Sequence, residues 1–317
     1  MTETITLYDC YDKDHGPAYM TGTQALVRLL LEQSRLDKDQ GINSRGLVSG
    51  YPGSPLGGLD LELTRHRARL DAEGIVFQPA INEELAATAL WGAQHIHLYD
   101  RPEIDGVFGL WYGKGPGLDR ALDALRHANM GGVAPKGGMV LAVGDDPTGK
   151  SSTVAYQSEQ TLIAAGIPFF YPRSVHDIIP MGLQAFALSR FAGCCVGLKI
   201  TVDTADASTI VNLDTIRPKI TVPDAAGPVH IGRHDPALLR ESRLFNLRLP
   251  AVERFQFANQ IDMSESTKRG KLGIVAVGKA TYETRDALRS LGIDDLEAAA
   301  IGLFSLVMPW PVNTPSL

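Results

Sequence analysis

Two turns carry the residues best placed to do chemistry. The first, Tyr51-Pro52-Gly53-Ser54-Pro55, follows the apolar pair Leu47-Val48, and the second, Gln78 to Asn82, follows Ile75 to Phe77 and delivers Glu83 and Glu84. Each turn sits where a strand ends and a helix begins. Open parallel sheets bind ligands at such places, because loops and helix amino termini converge at the carboxyl ends of the strands. Asn82 is a good N-cap, and the helix dipole favours carboxylates in the first turn after it. Helix chemistry alone also accounts for this arrangement.

A third strand end holds Gly144-Asp145-Asp146-Pro147-Thr148-Gly149-Lys150-Ser151, which fits the phosphate-binding pattern G-x-x-x-x-G-K-[ST] letter for letter. A P-loop reading puts Lys150 on the terminal phosphates and Ser151 on Mg²⁺. Two consecutive carboxylates inside the loop oppose it, since they would face a polyanion. Lys150, between Gly149 and the Ser151-Ser152 pair, is equally placed to hold a carboxylate. The glycine-rich turn Gly113-Lys114-Gly115-Pro116-Gly117 permits close approach of the backbone to a ligand, but a plain tight connection needs the same residues. The histidines are dispersed with no metal-ligand spacing, so no metal site is expected. Arg120 and Arg126, with Asp119 and Asp123, read as a charged helix face.

These residues need a sheet to bring them together, and the chain supplies its pattern. From residue 20 to about 205, helical periodicity alternates with short apolar runs. Helices are expected at 21–35, 57–71, 83–97, 117–129, 156–165 and 175–190, and strands at 46–49, 75–78, 105–110, 139–143, 167–171 and 195–202. Strict alternation predicts an α/β fold, a doubly wound parallel sheet with helices on both faces. Residues 206–270 change character, with recurring prolines and mixed charge, and read as a linker or embellishment across a surface with helical signal at 236–260. A further βα pattern begins at Lys271 and reaches Ile301 to Val307. It is too short to enclose a core, so the chain is expected to be cut off early in another domain, as an amino-terminal fragment.

With 317 residues the chain can hold two domains, and a formal net charge of -6 gives no footprint for nucleic acid or an anionic membrane. Three cysteines, two of them adjacent, make neither a disulfide framework nor spaced metal ligands, so a reducing cytoplasm is the expected location. No signal peptide or membrane span is legible.

Taken in order, Tyr51-Pro52-Gly53-Ser54-Pro55, Asn82-Glu83, Gly113 to Arg120, Arg126-His127-Ala128-Asn129, Gly144-Asp145-Asp146, Lys150-Ser151-Ser152, Leu188 to Cys194, Gly197-Leu198-Lys199, Leu272 to Val275 and Met308-Pro309-Trp310-Pro311 resemble the 2-oxoacid:ferredoxin oxidoreductases. The match is closest to the long, fused indolepyruvate ferredoxin oxidoreductases and covers nearly the whole chain. The resemblance implies that residues 1–205 form the pyrimidine-binding domain of a thiamine diphosphate enzyme. Residues 271–317 would then be the truncated start of a transketolase C-terminal-like domain.

It further implies that Tyr51, Pro52, Gly53 and Ser54 line the cofactor turn and that Ser54 meets the substrate. Glu83 would bond a ring nitrogen of the aminopyrimidine and favour the tautomer whose amine takes the thiazolium proton. Lys150 and Ser151 would contact the substrate carboxylate. The family's Gly-Asp-Gly motif for Mg²⁺ and diphosphate is missing here, as are its Cys-x-x-Cys clusters for iron–sulfur centres, so missing segments or partner chains are expected to supply both. The complete enzyme would decarboxylate an aryl 2-oxoacid oxidatively, pass electrons to ferredoxin and form an acyl-coenzyme A, as a homo-oligomer or with partner subunits. Other readings are a P-loop nucleotide-binding protein, a non-catalytic subunit-binding remnant, and a different thiamine enzyme such as an acetolactate-type carboligase. The 2-oxoacid, and the cofactor contacts of Lys114 and Lys150, are not legible.

Overall fold

The computed structural model describes residues 6–150, 152–224, 226–265 and 271–312. A short helix α1 (Asp9–Asp12) precedes strand β1 (Pro17–Thr21), which pairs antiparallel with the later β8 (Ser208–Asn212). Helix α2 (Gly22–Asp39) starts on a capping box in which Thr21 and Gln24 satisfy each other's backbone amides, and it buries Leu26, Leu29 and Leu30.

The main sheet follows in βα alternation: β2 (Ser44–Gly50), α3 (Gly57–Arg65), α4 (Arg67–Ala72), β3 (Ile75–Phe77), α5 (Glu83–Ala93), β4 (Gly106–Lys114), α6 (Gly115–Gly131), β5 (Met139–Asp145), α7 (Glu159–Ala164), β6 (Phe169–Phe170), α8 (Val175–Ala192), β7 (Cys195–Thr201) and α9 (Val202–Asp206). The six strands stand in the order β3-β2-β4-β5-β7-β6, and every pair is parallel. The predicted helix 57–71 breaks at His66, and the predicted helix 83–97 ends at Ala93 before a 3-10 turn at Ile96–Leu98.

Alternation along β5 shows how the sheet is covered. Val140 and Ala142 belong to a core shared with α2 and α8, whereas Met139, Leu141 and Val143 face a second core built with α5 and α6. All seven residues of β5 and all seven of β7 are buried, as a strand covered on both faces must be. The sheet is doubly wound.

The connecting segment is more than a tether. Helix α10 (Ala237–Arg243) continues through a π turn at Leu244–Arg248 into α11 (Leu249–Asn259). Arg248, fully buried, donates from Nε to the carbonyl of Val229 at 2.6 Å and from its terminal nitrogens to those of Asn129, Met130 and Gly131 at 2.9, 2.8 and 3.1 Å. These last three are the orphan carbonyls of the final turn of α6, where a cation also meets the negative end of the helix dipole.

A second sheet has the order β10-β11-β9, from β9 (Met263–Ser264), β10 (Leu272–Val277) and β11 (Ile301–Leu306), with α12 (Ala280–Ser290) between the parallel pair. Its small core gathers Ala276, Leu288, Leu296, Ile301 and Leu303. It is joined to the edge of the main sheet where the amides of Tyr171 and Phe169 donate to the carbonyls of Val307 and Trp310 at 2.9 and 3.2 Å.

Candidate functional site

The chain runs from β2 outward to β3, returns to β4 on the other side of β2, and continues away to β5. The order therefore reverses between β2 and β4, and the crevice beyond their carboxyl ends is the topological switch point at which open α/β sheets take ligands. The turn 51–56 leaves β2 there, α5 begins with Glu83 after β3, and α6 begins after Lys114, the last residue of β4. Tyr51, Pro52, Gly53, Ser54 and Glu83 are thus at one edge of the sheet.

The turn after β2 is laid across its neighbours. The Tyr51 amide donates to the carbonyl of Tyr112 at 3.2 Å, and Pro55 and Leu56 pack on Gly144 of β5, where a Cβ would meet Pro55 at 2.9 Å. Gly53 is half-buried beneath the Lys114 side chain: a Cβ there would lie 2.9 Å from Cδ and 3.1 Å from Cγ of that lysine. Tyr51 is 40% exposed.

Glu83 sits at the start of α5 because Asn82 caps the helix, its side-chain oxygen accepting the Leu85 amide at 2.8 Å. Trp111 holds the backbone from the other side, donating its indole N–H to the Glu83 carbonyl at 3.0 Å. The carboxylate lies against the first turn of α6: a Cβ on Gly117 would stand 2.5 Å from Oε1 and 2.9 Å from Cδ. Glu83 is 5% exposed, and no hydrogen bond reaches its carboxylate from the described residues. Its ionic partner among them is Arg120, whose Nε is 3.9 Å away.

A buried carboxylate without donors is costly unless a partner is brought to it, and the positive end of α6 only moderates that cost. Nearby in the ladder, Ser49, the register partner of Trp111, is 1% exposed and its hydroxyl also lacks a partner among the described residues. A buried acidic acceptor set against a bare glycine is able to take a hydrogen bond from a ligand's donor.

The loop after β5 is organised differently from a phosphate cradle. Asp146, 1% exposed, accepts the amides of Lys150 and Ser152, both at 2.9 Å, and the Thr148 hydroxyl at 3.4 Å. The amides that a P-loop turns onto phosphate are turned here onto the chain's own carboxylate. The Lys150 side chain is exposed, and Ser151 lies outside the described residues. The far end of the loop is fastened by Asp145, which accepts the Ser158 amide at 2.8 Å and also its hydroxyl. Lys199 stands 3.2 Å from Asp145 and pairs with Glu159 as well. Burial pushes the Asp145 carboxyl up, against Lys199 and Ser158; burial likewise disfavours charge on Lys199, yet the two carboxylates hold that lysine above its ordinary pKa.

The sequence reading passes over two participants here. Gly117 carries no signal beyond a glycine-rich turn until Glu83 is seen against it. Arg120, read as part of a charged helix face, lies one turn further along α6 and is the ionic partner of Glu83. Spacing from the strand end, three residues to Gly117 and six to Arg120, is the only trace either leaves in the sequence.

Comparison with known proteins gives this arrangement a context. A family model described as the indolepyruvate oxidoreductase domain matches residues 262–317. The indolepyruvate oxidoreductase subunit IorA of Pyrococcus abyssi is 26% identical, over 95% of this chain and 43% of its own length. That of Methanothermobacter marburgensis is also 26% identical, over 92% of this chain and 44% of its own. The chain therefore spans less than half the length of these curated relatives. Among solved structures, a 2-oxoglutarate:ferredoxin oxidoreductase from Magnetococcus marinus shares the fold at a TM-score of 0.65 and 15% identity, over 95% of this chain and 55% of that one. A transketolase variant from Pichia stipitis does so at 0.50 and 11%, over 96% and 36%. The likeness to the indolepyruvate oxidoreductases and the α/β fold class are both borne out. Among the described residues no helix is long and apolar enough to cross a membrane.

Proposed function

We propose, taking as premise that the chain is of the indolepyruvate oxidoreductase type, that it holds the pyrimidine half of thiamine diphosphate for a cytoplasmic 2-oxoacid:ferredoxin oxidoreductase. The observation that carries this reading is the buried, donor-free carboxylate of Glu83 against Gly117 at the switch point of the sheet. Residues 1–205 serve as the pyrimidine-binding domain, 206–270 as the connecting segment, and 271–317 as the beginning of the transketolase C-terminal-like domain.

When bound, the cofactor supplies an acidic thiazolium carbon and a sink for the electrons left by decarboxylation. This chain's residues do the holding. Glu83 would share a proton with a pyrimidine ring nitrogen, and its burial would make that bond stronger than in water. Arg120 fixes the rotamer of Glu83 from the exposed side. Tyr51, Pro52 and Gly53 would form the wall of the crevice, and the Ser54 hydroxyl would be available to the substrate. Lys150 and Ser151, on the loop after β5, steer the carboxylate of an aryl 2-oxoacid toward it. Mg²⁺, the iron–sulfur clusters, coenzyme A and ferredoxin are handled by other segments or partner subunits.

The test is a titration of the complete enzyme with thiamine diphosphate and separately with Mg-ATP, followed by tryptophan fluorescence, alongside 2-oxoacid-dependent reduction of a viologen dye. Thiamine diphosphate should quench and support turnover. Quenching by ATP alone would favour the P-loop reading instead.

A further inference from the structure

We propose that Lys114 is a further substrate-binding residue, which grips inside the crevice the carboxylate that Lys150 steers toward it, a role that rests on the function proposed above. The cations near this edge differ in what they already hold. Arg120 is engaged with Glu83, and Lys199 is buried between Asp145 and Glu159. Lys150 is exposed on a loop whose amides close on Asp146. Lys114 has no ion pair and no side-chain hydrogen bond among the described residues, although it is half-buried.

Its place on a strand end also restricts where its side chain can go. It ends β4, in register with Gly144 of β5, and its stem lies over Gly53 of the turn after β2, where any side chain at that position would displace it. The bare Gly53 thereby leaves room for that long side chain to lie across the turn that carries Ser54. An ammonium held on a strand end loses less entropy on binding than one on a loop, and it is partly desolvated in advance. A 2-oxoacid brings one carboxylate that must be neutralised and oriented while its keto carbon faces the reacting centre. A charge-assisted bond from Lys114 does both, so Lys114 is a substrate-binding residue that sets affinity and orientation and takes no part in proton transfer.

The experiment compares the wild-type complete enzyme with Lys114→Met, Lys114→Gln and Lys114→Arg. Four quantities are measured: the dissociation constant of thiamine diphosphate, KM and kcat for the 2-oxoacid, and the binding preference for the 2-oxoacid over its uncharged amide. Lys114→Met and Lys114→Gln should raise KM about tenfold or more and reduce the acid-over-amide preference by the same factor, with cofactor affinity unchanged. Lys114→Arg should restore part of both.

A KM and an acid-over-amide preference within about twofold of wild type, in a variant that binds cofactor normally, would overturn the inference. So would a weakened cofactor with an unchanged KM, because the ammonium would then serve the diphosphate. If Lys114→Met fails to fold, the same ratios in Lys114→Gln and Lys114→Arg decide. Wild-type enzyme that binds no thiamine diphosphate overturns the proposed function itself, a result distinct from either.

Discussion

Gly117 and Glu83 are fitted to each other: a methyl on the first would stand 2.5 Å from a carboxylate oxygen of the second. In an ordinary helix, Gly→Ala stabilises by roughly 0.5–1 kcal/mol. Gly117→Ala should gain little of this, because the carboxylate must move aside. The expected result is a thermal midpoint near wild type with thiamine diphosphate affinity reduced by about tenfold or more. An alanine variant that binds the cofactor normally would show that Glu83 has another resting place and another task.

Glu83→Gln keeps size and one acceptor but cannot hold a proton on a pyrimidine nitrogen as a carboxylate does. Turnover in the complete enzyme should fall by about 10²–10⁴-fold, the usual worth of a general acid–base contact. Stability should change little, since a first-turn carboxylate adds only about 0.3–1 kcal/mol to its helix. Dye reduction and thermal unfolding, measured together, separate the two roles.

Because Asp146 occupies the amides of Lys150 and Ser152, Mg-ATP should not bind with micromolar affinity. Isothermal titration checks this. Tight, Mg²⁺-dependent binding abolished by Lys150→Ala would restore the P-loop interpretation of Gly144 to Ser151.

His230 gives the fold an acid-side weakness. Burial holds its pKa below the ordinary 6.5, against the bond that Nε2 makes to the Arg190 carbonyl at 2.7 Å. The folded state favours neutral imidazole, so at mildly acidic pH the unfolded chain binds more protons. The stabilisation is complete above the unfolded value of 6.5 and is lost as pH falls through it toward the folded value. His230→Gln keeps a donor and cannot titrate. Urea midpoints followed downward from neutral pH should therefore fall less steeply for the variant.

Arg248→Met should be the most damaging single change in the connecting segment. It strands four carbonyls, three of them at the end of α6, and a buried polar group left unpaired costs about 1–3 kcal/mol. A loss of about 3 kcal/mol or more in chemical denaturation is expected. Arg248→Lys should recover little, because one ammonium cannot span acceptors on two segments as a planar guanidinium does.

The six strands of the main sheet are legible in the sequence because apolar runs between turn residues are local signals, and each predicted run overlaps an observed strand. Their lateral order is not. Placing β7 between β5 and β6 depends on how Gly197 accepts Phe169 across the ladder, a contact between distant residues. The β1–β8 pair is missed for the same reason, since neither strand has a partner close in sequence. In the site, Ser54 and Glu83 announce themselves by position after strands. Gly117 and Arg120 do not, because a glycine that makes room and an arginine that reaches back look locally like any turn and any solvated helix.

Helix α6 is held at both extremities, its first turn set against Glu83 and its last seized by Arg248. At about 1.5 Å per residue, it is a strut roughly 25 Å long between the crevice at the sheet edge and the segment leading to the second sheet. One helix thus carries both the glycine that faces Glu83 and the carbonyls that Arg248 holds.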